Sequence, residues 1–283
     1  MAALCDTLLV SRAGFYAWRR ETECVRARRD RELMPLVRDI FWHHKRRYGA
    51  RRIAVELHSR GQSCGVDRVA KLLKMQGLRA IQPKSFVPKT TDSRHQLGYS
   101  PNLLATASSP ERVNQIWVAD ITYIPLRTGA FAYLALLMDL FSRRIIGWEL
   151  DRTLEDDLAL AALRMALRSR TPAPGLVHHS DRGIQYASKD YTDLLKHNGV
   201  NISMSRKKNP WDNAQAESFM KTLKYEEVYR TEYRSLEDAR ASIGEFLDKI
   251  YNRERLHSAL GYRPPLEFEH QLRCAQAVGR RQA

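Results

Sequence analysis

The chain is 283 residues long and carries a formal net charge of +15, a length that suffices for about two domains. Its four cysteines, at positions 5, 24, 64 and 274, form neither a Cys-x-x-Cys pair nor a Cys/His metal-ligand spacing, which argues against a disulfide scaffold and a zinc site. The longest apolar run, FAYLALLM, is far shorter than the roughly 18 residues needed to cross a bilayer, so no membrane-spanning protein is expected.

The positive charge is concentrated in the front of the chain. Residues 1–112 contain 22 basic and 10 acidic residues, whereas the remainder contains 25 and 22. A field of this sign attracts phosphate backbones and predicts a nucleic-acid partner. An anionic membrane surface would suit the same charge, but no basic amphipathic anchor or lipidation signal accompanies it. We therefore expect a cytoplasmic protein with no membrane partner.

The pattern of residues 1–80 predicts an all-α DNA-binding region built from helix-turn-helix units. In LLVSRAGFYAWRR, Ser11 is placed to cap a helix that carries aromatic residues and ends in paired arginines. The segment YGARRIAVELHSRGQSCGVDRVAKLLKMQGLRA predicts two further helices, joined by a turn from Gly61 to Gly65.

The second helix of that pair has an apolar side and a basic side. The basic set is Arg68, Lys71 and Lys74, and the apolar set is Val69, Leu72 and Leu73. A basic face opposite a core face fits a recognition helix in a major groove, so the three basic residues are candidate DNA contacts. The alternative is a solvated charged face on a small helical bundle.

The rest of the chain predicts a second domain. Residues 81–112, rich in Ser, Thr and Pro, predict a linker, followed by a domain over 113–270 and a basic C-terminal tail over 271–283. Three consecutive strands, then alternating helices and strands, predict an α/β fold with a mixed five-stranded sheet and helices on its faces. The strands are QIWVADITYI, FAYLALLMDLF, RIIGWEL, GLVHHSD and NISMS. The helices are LEDDLALAALRMALRSR, SKDYTDLLKHNG, DNAQAESFMKTLKYEEVY and SLEDARASIGEFLDKIYNRER.

Two aspartates occupy strand positions that disfavour them. Asp120 interrupts the first strand of this domain, and Asp181 ends the fourth. Each of them alone has an ordinary explanation as a residue at the edge or the end of a strand. A functional interpretation requires a further partner.

Glu217 supplies a third carboxylate. In NPWDNAQAESFMKTLK we expect Asp212 to cap a helix in a capping box with Gln215, which places Glu217 in the second turn. The apolar positions of this helix predict that it packs on the sheet, with Glu217 and Lys224 on a common face.

Three carboxylates in one place raise one another's pKa and resist ionisation unless a cation lies among them. Oxygen ligands without histidine or thiolate favour Mg²⁺ or Mn²⁺. Two such ions can clamp the attacking and the leaving oxygen of a phosphodiester displacement. Asp120, Asp181 and Glu217 are therefore candidate catalytic residues and candidate ligands of two divalent cations.

The spacing of these residues resembles a known signature. Thirty-five residues separate Asp181 from Glu217, and with Asp120 this resembles the Asp, Asp, thirty-five, Glu pattern of retroviral integrases and related transposases. Longer segments are similar to the downstream-frame transposases of the insertion-sequence-three family, over nearly the whole chain. These segments are RYGARRIAVEL, WVADITYIPL, LLMDLFSRRIIGWEL, HHSDRGIQYAS, MSRKKNPWDNAQAESFMKTLKYE and YNRERLHSALGYRPPLEFE.

This resemblance implies a ribonuclease-H-like core in which Asp120, Asp181 and Glu217 are the metal ligands. It implies a DNA transposase, in which water hydrolyses one strand at the end of the element and the freed 3′ hydroxyl attacks a second phosphodiester. The first attack would join the two ends into a circular intermediate, which is then integrated. The implied partners are double-stranded DNA, as terminal inverted repeats and as target, and further copies of the chain in a homo-oligomer.

The resemblance also suggests DNA contacts. Lys224 matches the basic position seven residues after Glu217 and would contact the terminal phosphate or base of the element; a solvated helix charge is the alternative. Lys207 and Lys208 are candidates for gripping the DNA backbone, although basic loops are common on any soluble surface. Trp211 is a candidate for stacking on an unpaired end base or, alternatively, for a hydrophobic cap beneath the helix.

Three other polar residues are weaker candidates for the functional site. His178 and His179 invite a zinc interpretation, which is disfavoured because neighbouring strand side chains point to opposite faces. Asp139 is a fourth acidic candidate, either near the site or in a structural contact with Arg143.

Two departures from the related families limit the resemblance. The His-His-Cys-Cys zinc module of retroviral integrases has no counterpart in this sequence. No heptad run is present, so the chain is expected to act with an upstream-frame protein, as its fusion or its partner. Two other functions stay open: a DNA-binding regulator without activity, which would not nick DNA, and a structure-selective nuclease, which would cleave DNA without joining it.

Overall fold

The computed structural model describes residues 2–19, 24–81, 100–105, 109–206 and 213–282. The chain divides into two compact units, Met1–Ile81 and Gln82–Ala283. The division lies next to the expected end of the helical region at residue 80. No helix in the described ranges has the length and the apolar character needed to cross a membrane.

The first unit is helical, as predicted. Its helices are α1 (Ala2–Thr7), α2 (Arg12–Arg19), α3 (Val25–His43), α4 (Ala50–Ser59) and α5 (Val66–Met75). Ser11 caps the start of α2, where its Oγ accepts a hydrogen bond of 3.0 Å from the Gly14 amide. Helices α4 and α5 form the expected pair, and Gly61 between them adopts a positive φ of 75° that glycine tolerates without strain.

Helix α3 was not predicted from the sequence. Its first turns are dominated by basic residues, and Pro35 lies inside it, which together obscure the apolar period. Its buried residues nevertheless recur at helical spacing and pack with α4 and α5. They are Asp30, Leu33, Val37, Ile40 and Phe41.

The second unit is built on the predicted mixed five-stranded sheet. The strands are β1 (Ile116–Pro125), β2 (Phe131–Asp139), β3 (Ile145–Asp151), β4 (Val177–Ser180) and β5 (Asn201–Met204). Their order across the sheet is β3-β2-β1-β4-β5. Strands β1, β2 and β3 pair antiparallel, whereas β4 pairs parallel with both β1 and β5. The central strand β1 therefore joins the antiparallel half to the parallel half.

Helices cover both faces of the sheet. They are α6 (Asp156–Ser169), α7 (Ile184–Ala187), α8 (Lys189–His197), α9 (Ala214–Glu226), α10 (Leu236–Glu245), which continues as a π-helix over Phe246–Glu254, and α11 (Pro265–Gln282). Side chains of β1 alternate between two apolar cores. Trp117 and Ala119 face the core shared with α6 and α8, whereas Ile116 and Val118 face the core shared with α9 and α10.

Two details at the edges of this unit differ from the expectation. Part of the predicted linker lies against the sheet, since the Leu103 amide donates to Ser203 Oγ at 2.9 Å and the Met204 amide donates to the Pro101 carbonyl. The predicted tail from residue 271 is the continuation of α11.

Gly147 allows β3 to approach α6 closely. A Cβ added at Gly147 would collide with the Ala162 carbonyl oxygen and would lie 2.8 Å from the Ala166 amide nitrogen. Both atoms belong to the backbone of a packed helix, which cannot move aside as the end of a side chain can. We therefore expect Gly147→Ala to lower the free energy of unfolding by about 1–3 kcal/mol, as overpacking does, measured by urea denaturation.

Ala166→Gly offers the matched test of that explanation. In the double variant, removal of the Ala166 methyl group relieves one contact but leaves both backbone contacts in place. Rescue of Gly147→Ala should therefore be partial at most. Full recovery of the wild-type stability in the double variant would show that the clash is with the methyl group and not with the helix backbone.

Candidate active site

The parallel pairing of β1 with β4 brings two distant aspartates to one level. The register aligns Trp117 with His178 and Val118 with His179. Continued by two residues, the same register places Asp120 beside Asp181. Because paired strands lie about 4.8 Å apart, these carboxylates become neighbours across 60 intervening residues of sequence.

Backbone amides hold the two aspartates. Asp120 Oδ1 accepts a hydrogen bond of 2.9 Å from the Ile121 amide. Asp181 Oδ1 accepts one of 2.9 Å from the Gly183 amide, in the turn that follows β4. A Cβ at Gly183 would stand 3.1 Å from that same carboxylate oxygen. Glycine at position 183 therefore keeps this tight turn around Asp181 uncrowded.

Glu217 is carried by α9, whose start is tied to β1. The Nδ2 group of Asn213 donates to the Ala119 carbonyl at 3.2 Å, one residue before Asp120. The apolar side of α9 is buried, as predicted; its residues are Ala216, Phe219, Met220 and Leu223. Asn213 is the N-cap residue and Glu217 lies in the first turn, not in the second. The predicted capping role of Asp212 falls outside the described residues.

The three carboxylates interact electrostatically. Burial, and then the charge of Asp181, raise the pKa of Asp120 well above its ordinary value, and Glu217 adds to the effect. Burial also raises the pKa of Glu217, against an opposing effect of Lys221. The fold thus gathers acidic groups so that Asp181 and Glu217 both disfavour the ionisation of Asp120.

Such a set of donors fits a divalent cation. Its atoms are carboxylate oxygens, the ligands that Mg²⁺ and Mn²⁺ prefer, and a cation among them would let them ionise together without protonation. In the ranges that the structure describes, no three acidic, histidine or cysteine side chains already stand close enough to enclose an ion. The backbone positions are therefore suited to a metal site, whereas the side chains are not yet arranged as one.

Lys224 is buried beside this cluster and is not a solvated helix charge. Only 7% of its surface is exposed, and its Nζ lies 4.1 Å from the centre of the Tyr123 ring, within cation–π range. Burial lowers the pKa of Lys224, whereas Asp120 raises it. The only cation shown to act on Asp120 within the described residues is therefore held by an aromatic face.

Tyr186 is a neighbour that sequence analysis missed. Its hydroxyl is buried and has no hydrogen-bond partner among the described residues. Burial raises the pKa of Tyr186, and the charges of Asp181 and Asp120 raise it further, which places the hydroxyl near both. The aromatic residue at this position resembles an ordinary core residue in the sequence, so periodicity alone gave no signal.

The two histidines make structural hydrogen bonds. His178 Nε2 lies 2.8 Å from the Tyr191 hydroxyl, and burial lowers its pKa to about 3, so the ring is neutral. His179 contacts Ser203 Oγ at 2.8 Å and Ser205 Oγ at 3.0 Å. These bonds tie β4 to α8 and β5, which explains the histidines without a zinc ion.

Asp139 shapes the turn between β2 and β3. Its carboxylate accepts hydrogen bonds from the amides of Asn114 at 2.7 Å and Ser142 at 2.8 Å, and its backbone carbonyl accepts from the Arg143 amide. The structural alternative for Asp139 is therefore the better description, and its contact with Arg143 runs through the backbone. The candidate DNA contacts Lys207, Lys208 and Trp211 lie outside the described residues.

Two of the three basic residues on α5 contact an acidic residue of the same unit. Arg68 Nε donates to Asp30 Oδ1 at 2.6 Å, and Lys71 Nζ lies 3.6 Å from Asp30 Oδ2. Lys74 has no ion pair among the described residues and is exposed. The opposite side of α5 is buried as predicted; its residues are Val69, Leu72 and Leu73. Arg68 thus contributes to the packing of α3 against α5, whereas Lys74 presents a solvent-facing charge.

Removal of the Asp120 charge should stabilise the metal-free chain. The pKa of Asp120 is raised in the folded chain above its ordinary value of 3.8, so the folded state loses stability as pH rises through that raised pKa. Without divalent cations, Asp120→Asn should unfold at a higher temperature than the wild type at about pH 8, and the difference should vanish toward about pH 4. Thermal unfolding across that range checks this.

The matched control is Glu232→Gln, because Glu232 is an exposed carboxylate. This variant should leave the midpoint close to that of the wild type at every pH. An Asp120→Asn chain that melts at or below the wild-type temperature at high pH would contradict the electrostatic picture.

Comparisons with known proteins assign the chain to a family. Two models described as integrase core domain match residues 110–210 and 198–265, and a model described as HTH-like domain matches residues 28–86. The catalytic core domain of HTLV-2 integrase superposes with a TM-score of 0.43 at 14% identity, over 55% of this chain and 95% of that one, which is too weak to support any inference about the site.

Curated relatives are much closer to the chain. An uncharacterized 31 kDa protein of insertion element IS600 from Shigella sonnei is 38% identical over 94% of this chain and 97% of its own length. The transposase of insertion sequence IS904 from Lactococcus lactis is 37% identical over 82% and 91%. Transposase InsF of IS3A from Escherichia coli K12 is 38% identical over 95% and 93%. With such identity across nearly the whole of both sequences, the chain belongs to the IS3 family of insertion-sequence transposases, which are enzymes of the DDE type with an integrase core.

Proposed function

We propose that Asp120, Asp181 and Glu217 are the catalytic carboxylates of this transposase. The observation that carries the proposal is the parallel β1–β4 register, which sets Asp120 level with Asp181. The repulsion that raises the pKa of Asp120 supports the same grouping and includes Glu217. A transposase catalyses strand cleavage and strand transfer at the ends of its element, and both reactions displace an oxygen at a phosphodiester.

The residues of this chain hold and orient the reacting groups. Bound divalent cations, two Mg²⁺ or Mn²⁺ ions, would supply the positive charge that lets the carboxylates ionise together and that polarises the phosphodiester. Asp120 and Asp181 keep a fixed orientation because each accepts a backbone amide hydrogen bond. Glu217 approaches from α9, whose start is fixed to β1 by Asn213.

Lys224 is the proposed contact to a phosphate next to the reacting one. Its ammonium group is desolvated above Tyr123 and close to Asp120, so an anion that reaches it meets a charge that water screens little. The position on α9, seven residues after Glu217, places the lysine two helical turns further along the same face. The terminal phosphate of the element is the ligand that suits this place.

The first unit is proposed to bind DNA through the exposed part of α5, with Lys74 as the leading contact. Terminal inverted repeats and target DNA are the proposed duplexes, bound by a homo-oligomer with an upstream-frame protein as fusion or partner. Action on DNA of the bacterial nucleoid places this activity in the cytoplasm. Support for these proposals comes from the helix-turn-helix unit, its basic charge and the family itself.

Carboxamide substitution in the carboxylate set should abolish the chemistry. We expect Asp120→Asn, Asp181→Asn and Glu217→Gln each to lower DNA cleavage and joining by at least about 1000-fold, since each would remove a ligand and a charge. The measurement uses a duplex that contains the element's end, with Mg²⁺ and with chelator, and gel analysis of nicked and joined strands. Glu232→Gln is the charge-matched control and should keep wild-type rates.

The same gels separate the alternative functions. A metal-dependent nick excludes an inactive regulator, and a joined product excludes a nuclease that only cleaves. A folded variant of any of the three residues that cleaves and joins at the wild-type rate would remove that residue from the proposed set.

Substitutions on α5 should separate DNA binding from stability. Lys74→Ala should weaken DNA binding and reduce the slope of log affinity against log salt by about one, with little change in melting temperature. Arg68→Ala should in addition lower stability, because it leaves the buried Asp30 carboxylate without its closest partner. Fluorescence anisotropy at several salt concentrations, with parallel melting curves, measures both effects. Unchanged affinity and slope in Lys74→Ala would remove α5 from the DNA-binding surface.

A further inference from the structure

Arg143 occupies a strained position in the turn between β2 and β3. Its φ is 61°, in the left-handed region that non-glycine residues rarely adopt. The turn is held by the Asp139 carboxylate, whose Oδ1 accepts hydrogen bonds from the amides of Phe141 at 3.1 Å and Ser142 at 2.8 Å. A residue kept in such a conformation by its surroundings is a candidate for function.

The guanidinium of Arg143 forms no ion pair among the described residues, although the charge of Asp139 lies near enough to raise its pKa. Its Nη1 is buried without a hydrogen-bond partner, and burial lowers the pKa of the side chain. The next residue is different, since Arg144 Nη1 lies 2.8 Å from Glu269 Oε2, and Arg170 Nη2 lies 2.5 Å from Glu269 Oε1. Glu269 is thus committed to other arginines, and the Asp139 carboxylate is committed to backbone amides.

Arg143 lines a pocket of about 380 Å³ with mostly apolar walls. The lining also includes Leu104, Ile116, Phe141, Gln215, Leu260 and Phe268. Two aromatic rings, those of Phe141 and Phe268, lie 5.5 Å apart at this wall. A partly desolvated cation in apolar surroundings favours an anionic ligand that also carries an apolar or aromatic part.

The pocket lies on the face of the sheet that carries the proposed catalytic residues. Ile116 precedes Asp120 by four residues of β1, so both side chains point to the same face at a separation of about 13 Å along the strand. Gln215 is on α9, two residues before Glu217. Ile116 and Gln215 thus connect the wall of this pocket to β1 and α9, the two elements that carry Asp120 and Glu217.

We propose that Arg143 binds a backbone phosphate of the DNA, with the adjoining sugar and base against the apolar wall of this pocket. The inference rests on the proposed function, because it takes the ligand to be the DNA that enters the catalytic site. A phosphodiester is ionised at every pH of interest and accepts two parallel hydrogen bonds from a guanidinium. An acidic segment of a second copy of the chain is the competing occupant.

The test asks whether neutralising one particular phosphate weakens DNA binding only when Arg143 is present. A series of end-containing duplexes, each with a single neutral methylphosphonate, is titrated by anisotropy in chelator against the wild type, Arg143→Gln and Arg168→Gln. Arg168 is exposed on α6, at the other face of the sheet, and serves as the charge-matched control. We expect one methylphosphonate to weaken binding by about tenfold or more in the wild type and in Arg168→Gln, and to have no effect in Arg143→Gln.

Arg143→Lys covers the case in which the glutamine variant does not fold. This variant keeps the charge but loses the paired hydrogen bonds. The methylphosphonate at that position should therefore reduce its DNA affinity by less than it reduces the affinity of the wild type. Equal methylphosphonate effects at every position in all variants would overturn the proposal. Wild-type DNA affinity in Arg143→Gln with an altered sedimentation coefficient would assign the pocket to a second copy instead.

This measurement is independent of catalysis. It is made without divalent cations, so an error in the proposed catalytic residues leaves the phosphate coupling unchanged. Conversely, the absence of coupling at Arg143 would leave the cleavage assay of Asp120, Asp181 and Glu217 unaffected.

Discussion

The interaction on which the site depends is the repulsion between carboxylates that the β1–β4 pairing brings level. Main-chain hydrogen bonds between the parallel strands fix the register that leads to Asp120 and Asp181, so the central sheet keeps the two carboxylates near each other. The fold therefore maintains a local charge conflict, visible in the raised pKa of Asp120. A conflict of this kind persists only where something else in the molecule stabilises the sheet, and here two apolar cores, one on each face, do so. Destabilised ionisable groups of this sort are typical of functional sites.

The charged groups near the turn between β2 and β3 differ from the carboxylate cluster, because they form ion pairs with one another. Glu269 of α11 is almost fully buried and accepts from Ser142, Arg144 and Arg170, and these bonds hold its pKa below the ordinary value despite burial. Removal of one partner from such a buried network is costly, since a charge stays behind. The network fastens α11 to the turn between β2 and β3. Arg143, within the same turn, forms no ion pair among the described residues and has a buried Nη1 without a hydrogen-bond partner, and this contrast carries the inference that it binds a phosphate of DNA.

The two units of the chain use basic residues for different purposes. In α5, Arg68 is largely structural because it satisfies Asp30, whereas Lys74 faces solvent. In the integrase core of this transposase, Lys224 is buried over an aromatic ring beside the acidic cluster. A count of basic residues in the sequence predicts attraction to DNA and its steep salt dependence. It does not distinguish a lysine that contacts phosphate from an arginine that holds two helices together.

Sequence alone determined the strands, the core helices α6, α8, α9 and α10, the helix-turn-helix pair and the family, because these follow from local periodicity and from motifs long enough to be specific. Helices α7 and α11 were not predicted. Asp120 and Asp181 stood out because carboxylates interrupt or end otherwise apolar strands, and Glu217 stood out by its place on a predicted helix and by its spacing from Asp181. Helix α3 was not predicted, since a proline and a basic run obscured its period, and the start of α9 was placed one residue early. Only the tertiary structure decided that Asp139 holds a turn, that Lys224 is buried, and that Tyr186 and Arg143 have buried polar atoms without partners among the described residues. Those properties depend on which groups from distant parts of the chain surround a side chain, and burial and hydrogen-bond satisfaction at such places are set by packing and not by spacing along the sequence.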